Sequence, residues 1–489
     1  MIASSNRGKL IGRNLQSKCA SFFVISLLVF LASSISAAAA NHYVRAGATG
    51  NGSGLDWANA CTDFTGPCAV SSLVRGDTYY ITSGTYAGSR TWNRANSGTL
   101  PITIKRATVA DHGTDTGWSA SFDGQVIWGY GHTVSTGYWV FDGVTSTPTA
   151  SPVDGAADSS RYGFYYSHGS NCSSNQTIVS IQATDVTFKN VAMDMCSSAY
   201  DYAKWCFEIT DGADNTLISH AYCNSSIDFI QTNGYQNNAV YEYVYTSNNG
   251  GSGTNHGEAY QLVCNGCTIR YNYLADCGLN GGVTSCISGN VGASFPGCSN
   301  IPMCNTQIYG NVFNRVASGS GVIHAAGSTG MSGTRFYNNV VANLTVGNYF
   351  DECSGHTCPA GSGNNVVENN IIWNSNCSRG QFGLAGDVDN YNTFLSCSDS
   401  PPSEPNRQTG SYDPFVSSAT GDFRLKSYTA GSCSSTATLC SGISLASPYN
   451  LDAFGTTRGA DGVWDRGAFE LSETQSGIAP PQHLVASVN

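Results

Sequence analysis

Charged residues are scarce in this sequence of 489 residues. Asp, Glu, Lys and Arg make up 11% of the chain, whereas they average about a quarter of soluble globular proteins. Intrinsic disorder requires high charge and few aromatic residues, so a chain that is 41% hydrophobic and 11% aromatic is expected to bury a core. The 56 Gly residues, with abundant Ser, Thr, Asn and Tyr, indicate short strands joined by tight turns.

Basic residues are few, and several of them lie at the N-terminus ahead of an apolar stretch. They are Arg7, Lys9, Arg13 and Lys18, followed by the apolar run Phe22–Leu31 and the small-residue run Ser33–Ala40. This order is typical of a secretory signal peptide, here residues 1–40, cleaved near Ala40. The apolar run is shorter than the about 20 residues that a spanning helix needs. We therefore expect no membrane span after cleavage and a secreted or cell-surface protein.

Positive charge becomes scarcer still once this segment is removed. The remaining chain has 18 basic and 33 acidic residues, a net charge of −15. Such a surface disfavours nucleic acid and anionic membranes as partners. A long polyanionic substrate is also disfavoured, unless Ca²⁺ or a local basic patch offsets the repulsion.

The cysteines indicate disulfides. One of the 19 lies in the predicted signal peptide, and an even number of 18 remains, which in an exported chain favours paired cysteines. Four pairs are close enough in sequence to close single loops: Cys61/Cys68, Cys298/Cys304, Cys353/Cys358 and Cys433/Cys440. For Cys264-x-x-Cys267 we expect disulfides to neighbouring parts of the fold, because a second pair at zinc-finger spacing is missing.

A short unit recurs between Val186 and Asn376. In its clearest copies an apolar residue lies three before an Asn, and two apolar or aromatic residues follow; the Asn residues are Asn272, Asn311, Asn339 and Asn370. Their steps are 39, 28 and 31 residues, which is typical of a solenoid, since one unit cannot bury its own apolar face. The units are strand-like, so the sequence predicts an all-β solenoid. Asn side chains at one place in successive coils predict a ladder of amide hydrogen bonds.

Motifs at both ends of the chain carry a family resemblance. Tyr43-Val-Arg with its Gly-rich turn, Gly76-Asp-Thr with Gly84-Thr-Tyr86, the repeated Asn units and Asp465-Arg-Gly-Ala-Phe-Glu470 resemble secreted proteins of the pectate-lyase-like superfamily. The resemblance implies a right-handed parallel β-helix with an N-terminal cap and irregular C-terminal coils. We expect the β-helix over residues 41–470, with an insertion at 144–174, irregular last coils and a cap over 377–470, and a flexible tail over 471–489.

Three acidic residues precede the apolar anchors of successive units by similar distances. Glu208, Asp228 and Glu258 lie 10, 12 and 11 residues before Ile218, Val240 and Ile269. Equivalent positions on neighbouring coils are about 4.8 Å apart, so the spacing predicts stacked carboxylates. Three interpretations stay open: catalysis by general acid and base, as the family's hydrolases do with outward acids; a Ca²⁺ site; or a solvated row of independent side chains.

Nearby residues extend this predicted surface. His256 lies two residues before Glu258, so both point to the same side of a strand, where His serves proton transfer or caps a turn. We therefore predict Glu208, Asp228, Glu258 and His256 as catalytic residues. The predicted substrate-binding residues are Tyr260, Gln261, Trp205, His324 and Arg270, and apart from Ca²⁺ we predict no metal.

These observations predict a secreted carbohydrate-active β-helix. Its expected activity is cleavage of a polysaccharide, as a glycoside hydrolase or a polysaccharide lyase, and its expected state is a monomer. The alternative is a non-catalytic extracellular protein of the same fold that binds polysaccharide. The distances between the carboxyl groups of Glu208, Asp228 and Glu258 distinguish the enzyme from the binding protein, because glycosidases hold two carboxyls about 5–9.5 Å apart.

Overall fold

A computed structural model describes residues 39–144, 152–167, 177–195, 205–224, 226–250, 257–278, 285–289, 295, 298, 301–317, 319–426 and 441–471. The chain divides into two compact units, residues 1–40 and 41–489, and the second unit contains nearly all of these residues. Within them, no helix is long and apolar enough to cross a membrane. The described residues of the second unit are almost entirely strand, turn and irregular backbone.

The strands are short and follow one another through the whole unit. In chain order they are β1 Asn41–Val44, β2 Thr78–Ile81, β3 Gly84–Tyr86, β4 Arg90–Trp92, β5 Ile102–Arg106, β6 Val126–Trp128, β7 His132–Val134, β8 Trp139–Asp142, β9 Phe164–Ser167, β10 Val179–Ile181, β11 Val186–Asp194, β12 Trp205–Thr210, β13 Leu217–Asn224, β14 Asp228–Asn233, β15 Gln236–Asn237, β16 Val240–Ser247, β17 Tyr260–Leu262, β18 Cys264–Asn265, β19 Thr268–Arg270, β20 Tyr273–Ala275, β21 Ile287–Gly289, β22 Met303–Cys304, β23 Gln307–Tyr309, β24 Val312–Asn314, β25 Ile323–Ala325, β26 Met331–Ser332, β27 Arg335–Tyr337, β28 Val340–Ala342, β29 Val366–Glu368, β30 Ile371–Trp373, β31 Val388–Asn390, β32 Thr393–Leu395, β33 Gln408–Gly410, β34 Phe415–Ser417 and β35 Asp422–Leu425. Short 3-10 turns lie at Gly66–Cys68, Val70–Ser72, Ala120–Phe122, Pro152–Asp154, Ser159–Arg161 and Ser418–Thr420.

Successive coils pair in parallel, which is the defining feature of a β-helix. A large sheet of 21 strands runs along the molecule, beside an eight-stranded sheet in the order β25-β21-β17-β14-β12-β10-β7-β4 and a four-stranded sheet in the order β15-β18-β22-β26. The large sheet is bent, because the first half of β11 pairs with β8 and its second half with β9. Each coil therefore crosses the eight-stranded sheet and then two faces of the large sheet. The fold is a right-handed parallel β-helix, as the sequence predicted.

Residues with left-handed backbone make the bend of the large sheet. Asn190, His220, Tyr243, Tyr271, Gly310, Asn338, Asn369 and Tyr391 have φ between 52° and 67°. The residue after this corner is Asn in the regular coils, and Asn272, Asn311, Asn339, Asn370 and Asn392 are all buried. Their amides form a continuous ladder, in which Asn311 Nδ2 donates to Asn339 Oδ1 at 3.0 Å and Asn339 Nδ2 to Asn370 Oδ1 at 3.1 Å. The predicted asparagine ladder is confirmed.

Aromatic and aliphatic side chains fill the space enclosed by the sheets. β-Branched and aromatic residues suit a pleated surface that is buried on one side, and here they meet across the coil. Phe188, Phe207, Phe229 and Tyr260 form a chain of edge contacts with ring centroids 5.3–5.6 Å apart. This core sets which residues face outward, because side chains alternate along a strand.

A second apolar cluster lies on the outside of the large sheet. It includes a row of tyrosines, in which Tyr222 and Tyr245 stack at 5.9 Å and Tyr245 and Tyr273 at 5.5 Å. Phe415 and Phe423, on the antiparallel hairpin β34–β35, pack against this face. The C-terminal segment thus covers the coils that precede it.

One detail corrects the expected domain layout. The range 144–174, predicted as an insertion, contains β9, which pairs with β6 and β11 inside the large sheet. The difference arises because β9 lacks the Asn unit from which the coils were counted. The range 377–470, predicted to hold irregular last coils and the cap, contains β31, β32 and β33 of that sheet.

Disulfides close several turns. The predicted pairs Cys61–Cys68, Cys298–Cys304 and Cys353–Cys358 are present, whereas Cys433 and Cys440 lie outside the described residues. Cys264 bonds to Cys267 within its own motif, so the prediction of bonds to neighbouring parts of the fold is wrong for this pair. Further bonds join Cys206 to Cys223, Cys277 to Cys286 and Cys377 to Cys397.

Candidate active site

One row of the eight-stranded sheet is polar over its whole length. Its residues, in register across successive strands, are Thr91, Thr133, Ser180, Glu208, Gln231, Gln261, Ser288 and His324. The rows on either side contribute to the core, so this row faces away from it. Neighbouring members are about 4.8 Å apart. The row is most accessible from Thr91 to Thr133 and at Glu208 and Gln261.

Glu208 is the carboxylate on this row. It is half-buried and accepts a hydrogen bond from Asn233 Nδ2 at 2.7 Å, and a longer one from Thr177 Oγ1 at 3.4 Å. Gln231 Nε2, on the neighbouring strand, donates to Asn233 Oδ1 at 3.2 Å. Glu208 is thereby held in one orientation while it stays accessible to a ligand.

Asp228 and Glu258 form a carboxyl pair at the start of two adjacent strands. The backbone N–H of Glu258 donates to Asp228 Oδ1 at 2.7 Å, and the two carboxyls also hydrogen-bond each other. Just after Asp228, the amides of Phe229 and Ile230 both donate to the carbonyl of Ala259, at 3.1 Å each. Phe229 and Ile230 are both buried in the core at this corner of the coil, and the register with the neighbouring strands stays constant through it.

Burial makes this pair an unusual acid. Asp228 is 2% exposed and Glu258 is fully buried. Burial is the largest cause that raises the pKa of Asp228 well above its usual range, and the charge of Glu258 adds to it. Two carboxylates this close cannot both be ionised cheaply. The pair therefore retains a proton at a pH where an exposed carboxyl has lost it.

Trp205 completes the pair's surroundings. It starts β12 and is in register with Asp228 on β14. Its indole N–H donates to the Asp228 carboxyl and opposes the rise of that pKa, while the ring is half-buried.

Two disulfides brace the corner where the pair lies. Cys206 follows Trp205 directly and bonds to Cys223 at the end of β13. Cys286 lies just before β21, which pairs with the strand after Glu258, and bonds to Cys277. These bonds tie the starts of β12 and β21 to the large sheet on both sides of the acid pair.

The predicted row of three acids is only partly present. Asp228 and Glu258 are neighbours, but Glu208 is in register with Gln231, three residues further along the sheet. From about 3.3 Å per residue and 4.8 Å between strands, the Cα atoms of Glu208 and Asp228 lie roughly 11 Å apart. Gln261 and His324 do share the row of Glu208, whereas His256 lies outside the described residues.

Two residues predicted to bind substrate lie elsewhere. Tyr260 is fully buried in the core beside Phe229, so its ring has no surface to offer a sugar. Arg270 lies on the large sheet, where its guanidinium pairs with Glu242 at 2.5 Å and donates to the Tyr309 hydroxyl at 3.1 Å. Tyr260 was misplaced because the side of a strand on which a residue lies depends on register to a single residue, whereas Arg270 lies on a different sheet from Glu208.

The described residues do not supply a side-chain cage for Ca²⁺. No group of three His, Cys, Asp or Glu side chains among them is placed to hold a metal, and Ca²⁺ takes six to eight oxygen ligands. Asp228 and Glu258 are hydrogen-bonded to each other, an arrangement that suits a shared proton. A Ca²⁺ requirement stays a prediction.

The sequence did not point to the residues that orient Glu208. Asn233 and Thr177 lie on the two strands that flank β12 or just before one of them. Both resemble ordinary polar turn residues in the sequence. Finding them would have required the pairing register of β10, β12 and β14 to be known to a single residue.

Comparisons with known proteins agree with this architecture. No family of known proteins matches the sequence, and no curated protein matches it. Among solved structures, pectate lyase Pel9A superposes with a TM-score of 0.55 at 15% identity, over 90% of this chain and 98% of that one. A rhamnogalacturonan lyase gives a TM-score of 0.42 at 12% identity, over 80% of this chain and 96% of that one. The PL6 polysaccharide lyase Pedsa3628 from Pseudopedobacter saltans gives 0.41 at 11%, over 74% and 95%. The superposition on Pel9A and the parallel pairing of the coils show that the chain has the pectate-lyase-like right-handed parallel β-helix fold.

Proposed function

We propose that this protein is a secreted enzyme that hydrolyses a neutral polysaccharide on the polar face of its eight-stranded sheet. The observation that carries the proposal is the combination of a proton-retaining pair, Asp228 and Glu258, with a separately held carboxylate, Glu208, on the same sheet. Glycoside hydrolysis needs these two parts, a proton donor and a carboxylate base or nucleophile. The resemblance in fold to pectate lyase Pel9A supports action on a polysaccharide.

The geometry gives each part a role. Asp228 and Glu258 are too close to act as the two opposed carboxyls of a glycosidase, which stand about 5–9.5 Å apart, so together they form the acid. Glu208 is the base: it takes a proton from water, and the water oxygen bonds to the anomeric carbon. The C–O bond breaks with its electrons on the glycosidic oxygen, which takes the proton of the acid pair.

The surface favours an uncharged substrate. The polar row consists of Thr, Ser and Gln with Glu208 and His324, and it contains no Lys or Arg. β-Elimination of a uronate needs a cation near the substrate carboxylate, and the net charge of −11 repels a polyanion. Hydroxyl and amide side chains instead match the donors and acceptors of a neutral sugar.

The proposed mechanism requires the glycosidic oxygen of the substrate to reach the acid pair. Asp228 and Glu258 are buried, so the chain over them must move before a glycosidic oxygen comes within about 3 Å. Catalytic hydrogen bonds often form only in the complex with substrate. Trp205, half-buried beside the pair, lies at the edge where substrate would enter.

The test is a panel of neutral and acidic polysaccharides, with and without chelator. Reducing ends and the ultraviolet absorbance of unsaturated products are both measured. We expect reducing ends from a neutral polysaccharide, no unsaturated product, and loss of at least about 100-fold in kcat for Glu258→Gln and Glu208→Gln. The matched control is Glu242→Gln, which alters a half-buried acid on the large sheet and should keep full activity.

Each other outcome overturns part of the proposal. Unsaturated products from a uronate polymer would show a lyase, and loss of activity in chelator would establish the Ca²⁺ requirement. Binding without turnover across the panel would favour the non-catalytic alternative. Full activity of Glu258→Gln would remove the acid pair from the mechanism.

A further inference from the structure

Two amide side chains on β14 form a hydrogen-bonded chain that ends at Glu208, and we call Gln231 and Asn233 the amide relay. Gln231 Nε2 donates to the Thr232 carbonyl and to Asn233 Oδ1, at 3.2 Å each. Asn233 Nδ2 in turn donates to Glu208 Oε1 at 2.7 Å. Gln231 is 5% exposed, whereas Asn233 is exposed and Glu208 is half-buried. The relay therefore connects a buried amide to an accessible carboxylate.

Groups that can only accept hydrogen bonds fix the direction of both amides. A backbone carbonyl has no hydrogen to donate, so the Thr232 carbonyl must face the NH₂ group of Gln231. An ionised carboxylate also only accepts, so Glu208 must face the NH₂ group of Asn233. The Gln231 NH₂ group then meets the Asn233 oxygen, and every contact joins a donor to an acceptor. Reversal of either amide would bring two acceptors together.

The relay makes the two oxygens of Glu208 unequal. Oε1 accepts the short bond from Asn233, whereas Oε2 accepts a bond of 3.4 Å from the Thr177 hydroxyl. A hydroxyl donor usually lies about 2.5–3.0 Å from its acceptor, so Oε2 is held more weakly than Oε1. Oε2 is therefore the oxygen of Glu208 that can turn more easily to a new donor, such as a water molecule.

The two members of the relay differ in what they offer a ligand. The NH₂ group of Asn233 has two hydrogens, and among the described residues it donates to Glu208 alone. Since Asn233 is exposed, the second hydrogen is accessible beside Glu208, where a sugar oxygen can accept it. Gln231 is too buried to contact a sugar in the same way.

We propose that the amide relay positions Glu208 for catalysis, with Oε1 held by Asn233 while Oε2 takes the proton of the attacking water. Asn233 also donates its second N–H to the sugar, whereas Gln231 is a positioning residue that acts by fixing the direction of the Asn233 amide. A base must stay within hydrogen-bond reach of the proton that it removes, and a small loss of orientation lowers the rate. The catalytic use of the relay rests on the function proposed above, but its hydrogen bonds do not.

Two substitutions separate the roles of the relay in polysaccharide turnover. Gln231→Met keeps the length of the side chain and removes its NH₂ group, so the direction of the Asn233 amide is no longer fixed. We expect kcat to fall about 5- to 20-fold with KM unchanged. Asn233→Ala removes both the hold on Oε1 and the bond to the sugar, so kcat should fall about 10- to 100-fold and KM should rise. Once Asn233 is Ala, Gln231→Met should cause no further loss of kcat.

Matched controls make the same exchanges away from Glu208. Asn265→Asp alters an outer turn of the four-stranded sheet and should keep kcat, whereas Asn233→Asp puts a carboxylate beside Glu208 and should lose at least as much as Asn233→Ala. Gln236→Met removes a fully buried amide that donates to a carbonyl on β15, and should lower stability with kcat unchanged. Full kcat in Asn233→Asp, or losses from Gln231→Met and Asn233→Ala that multiply in the double variant, would overturn the proposal.

Unfolding in urea tests the relay without a substrate, so it separates failure of the relay from failure of the proposed activity. The folding equilibrium constant is measured for Gln231→Met, for Asn233→Ala and for the double variant. Because both single variants lose the same bond, we expect the double variant to be about 3- to 10-fold more stable than the product of the two losses predicts. Losses that simply multiply would overturn the relay itself. Coupled losses with full turnover in both single variants would overturn its role in catalysis.

Discussion

Replacing Asn339 with Ala tests whether the buried ladder holds the coils together. Asn339 Oδ1 accepts from the backbone N–H and from Nδ2 of Asn311, both at 3.0 Å, while its Nδ2 donates to the Ile308 carbonyl at 3.0 Å and to Asn370 Oδ1 at 3.1 Å. All of these groups are buried. The substitution therefore removes four hydrogen bonds at one step.

The expected loss of stability depends on which hydrogen-bond partners of Asn339 keep another hydrogen bond after the substitution. Asn311 Nδ2 still donates to the Ile269 carbonyl at 3.0 Å, and Asn370 Oδ1 still accepts the backbone N–H of residue 339 at 2.9 Å. The N–H of Asn311 and the carbonyl of Ile308 lose the bonds described here. At about 1–3 kcal/mol for each unsatisfied buried group, we expect a loss of roughly 2–6 kcal/mol in the free energy of unfolding.

The assay is equilibrium unfolding in urea with the disulfides intact, followed by hydrogen exchange at the coils around residue 339. Asn265→Ala is the matched control, because Asn265 bonds to Asn237 at 3.1 Å and accepts from Asn305 at 3.2 Å in a half-buried outer turn. There water can replace the amide, and the loss should stay below about 1 kcal/mol. Equal effects of the two substitutions would refute the reasoning.

Three further predictions concern other parts of the molecule. Burial raises the pKa of Asp465 to about 8 and of Glu470 to about 7, so the folded state holds protons more tightly than the unfolded chain. The free energy of unfolding should therefore fall as the pH rises from about 4 to about 8. In unfolding experiments over this pH range, Asp465→Asn should reduce that dependence on pH. Replacing both Cys206 and Cys223, which are 17 residues apart, with Ser should lower the free energy of unfolding by about 3 kcal/mol relative to the natural chain with its disulfides intact. When both proteins are reduced, the difference between them should disappear. Arg270→Ala should cost less than about 1 kcal/mol and leave polysaccharide turnover unchanged, whereas lost turnover would return Arg270 to the substrate site.

The asparagine repeat made the fold predictable because the ladder is local and strict. An amide at one place in each coil needs a buried neighbour at the same place in the next, and a left-handed residue before it makes the bend. Each Asn of the sequence repeat therefore marks the same position in a coil of the structure. From Asn272 to Asn392, counting along the sequence gives the register that the structure shows.

The candidate site was harder to predict because the turn before the large sheet varies in length. The residues of the polar row lie 10 before Ile218 for Glu208 and 8 before Ile269 for Gln261, but 20 before Ile308 for Ser288. A count of ten to thirteen residues therefore cannot separate positions three apart, which is how Glu208 came to be grouped with Asp228 and Glu258.

The C-terminal segment has a consequence for how the coils assemble. The Tyr271 hydroxyl donates to the Leu451 carbonyl at 3.2 Å, and Trp464 Nε1 donates to Asn338 Oδ1 at 3.3 Å, so the end of this unit is bonded to its middle. During synthesis, the apolar outer face from Tyr271 to Ile371 therefore stays uncovered until the C-terminal segment has been made. Repeat proteins can usually lose terminal units one at a time. This unit cannot be shortened in that way, because removal of its last segment would expose apolar surface on coils up to 180 residues upstream.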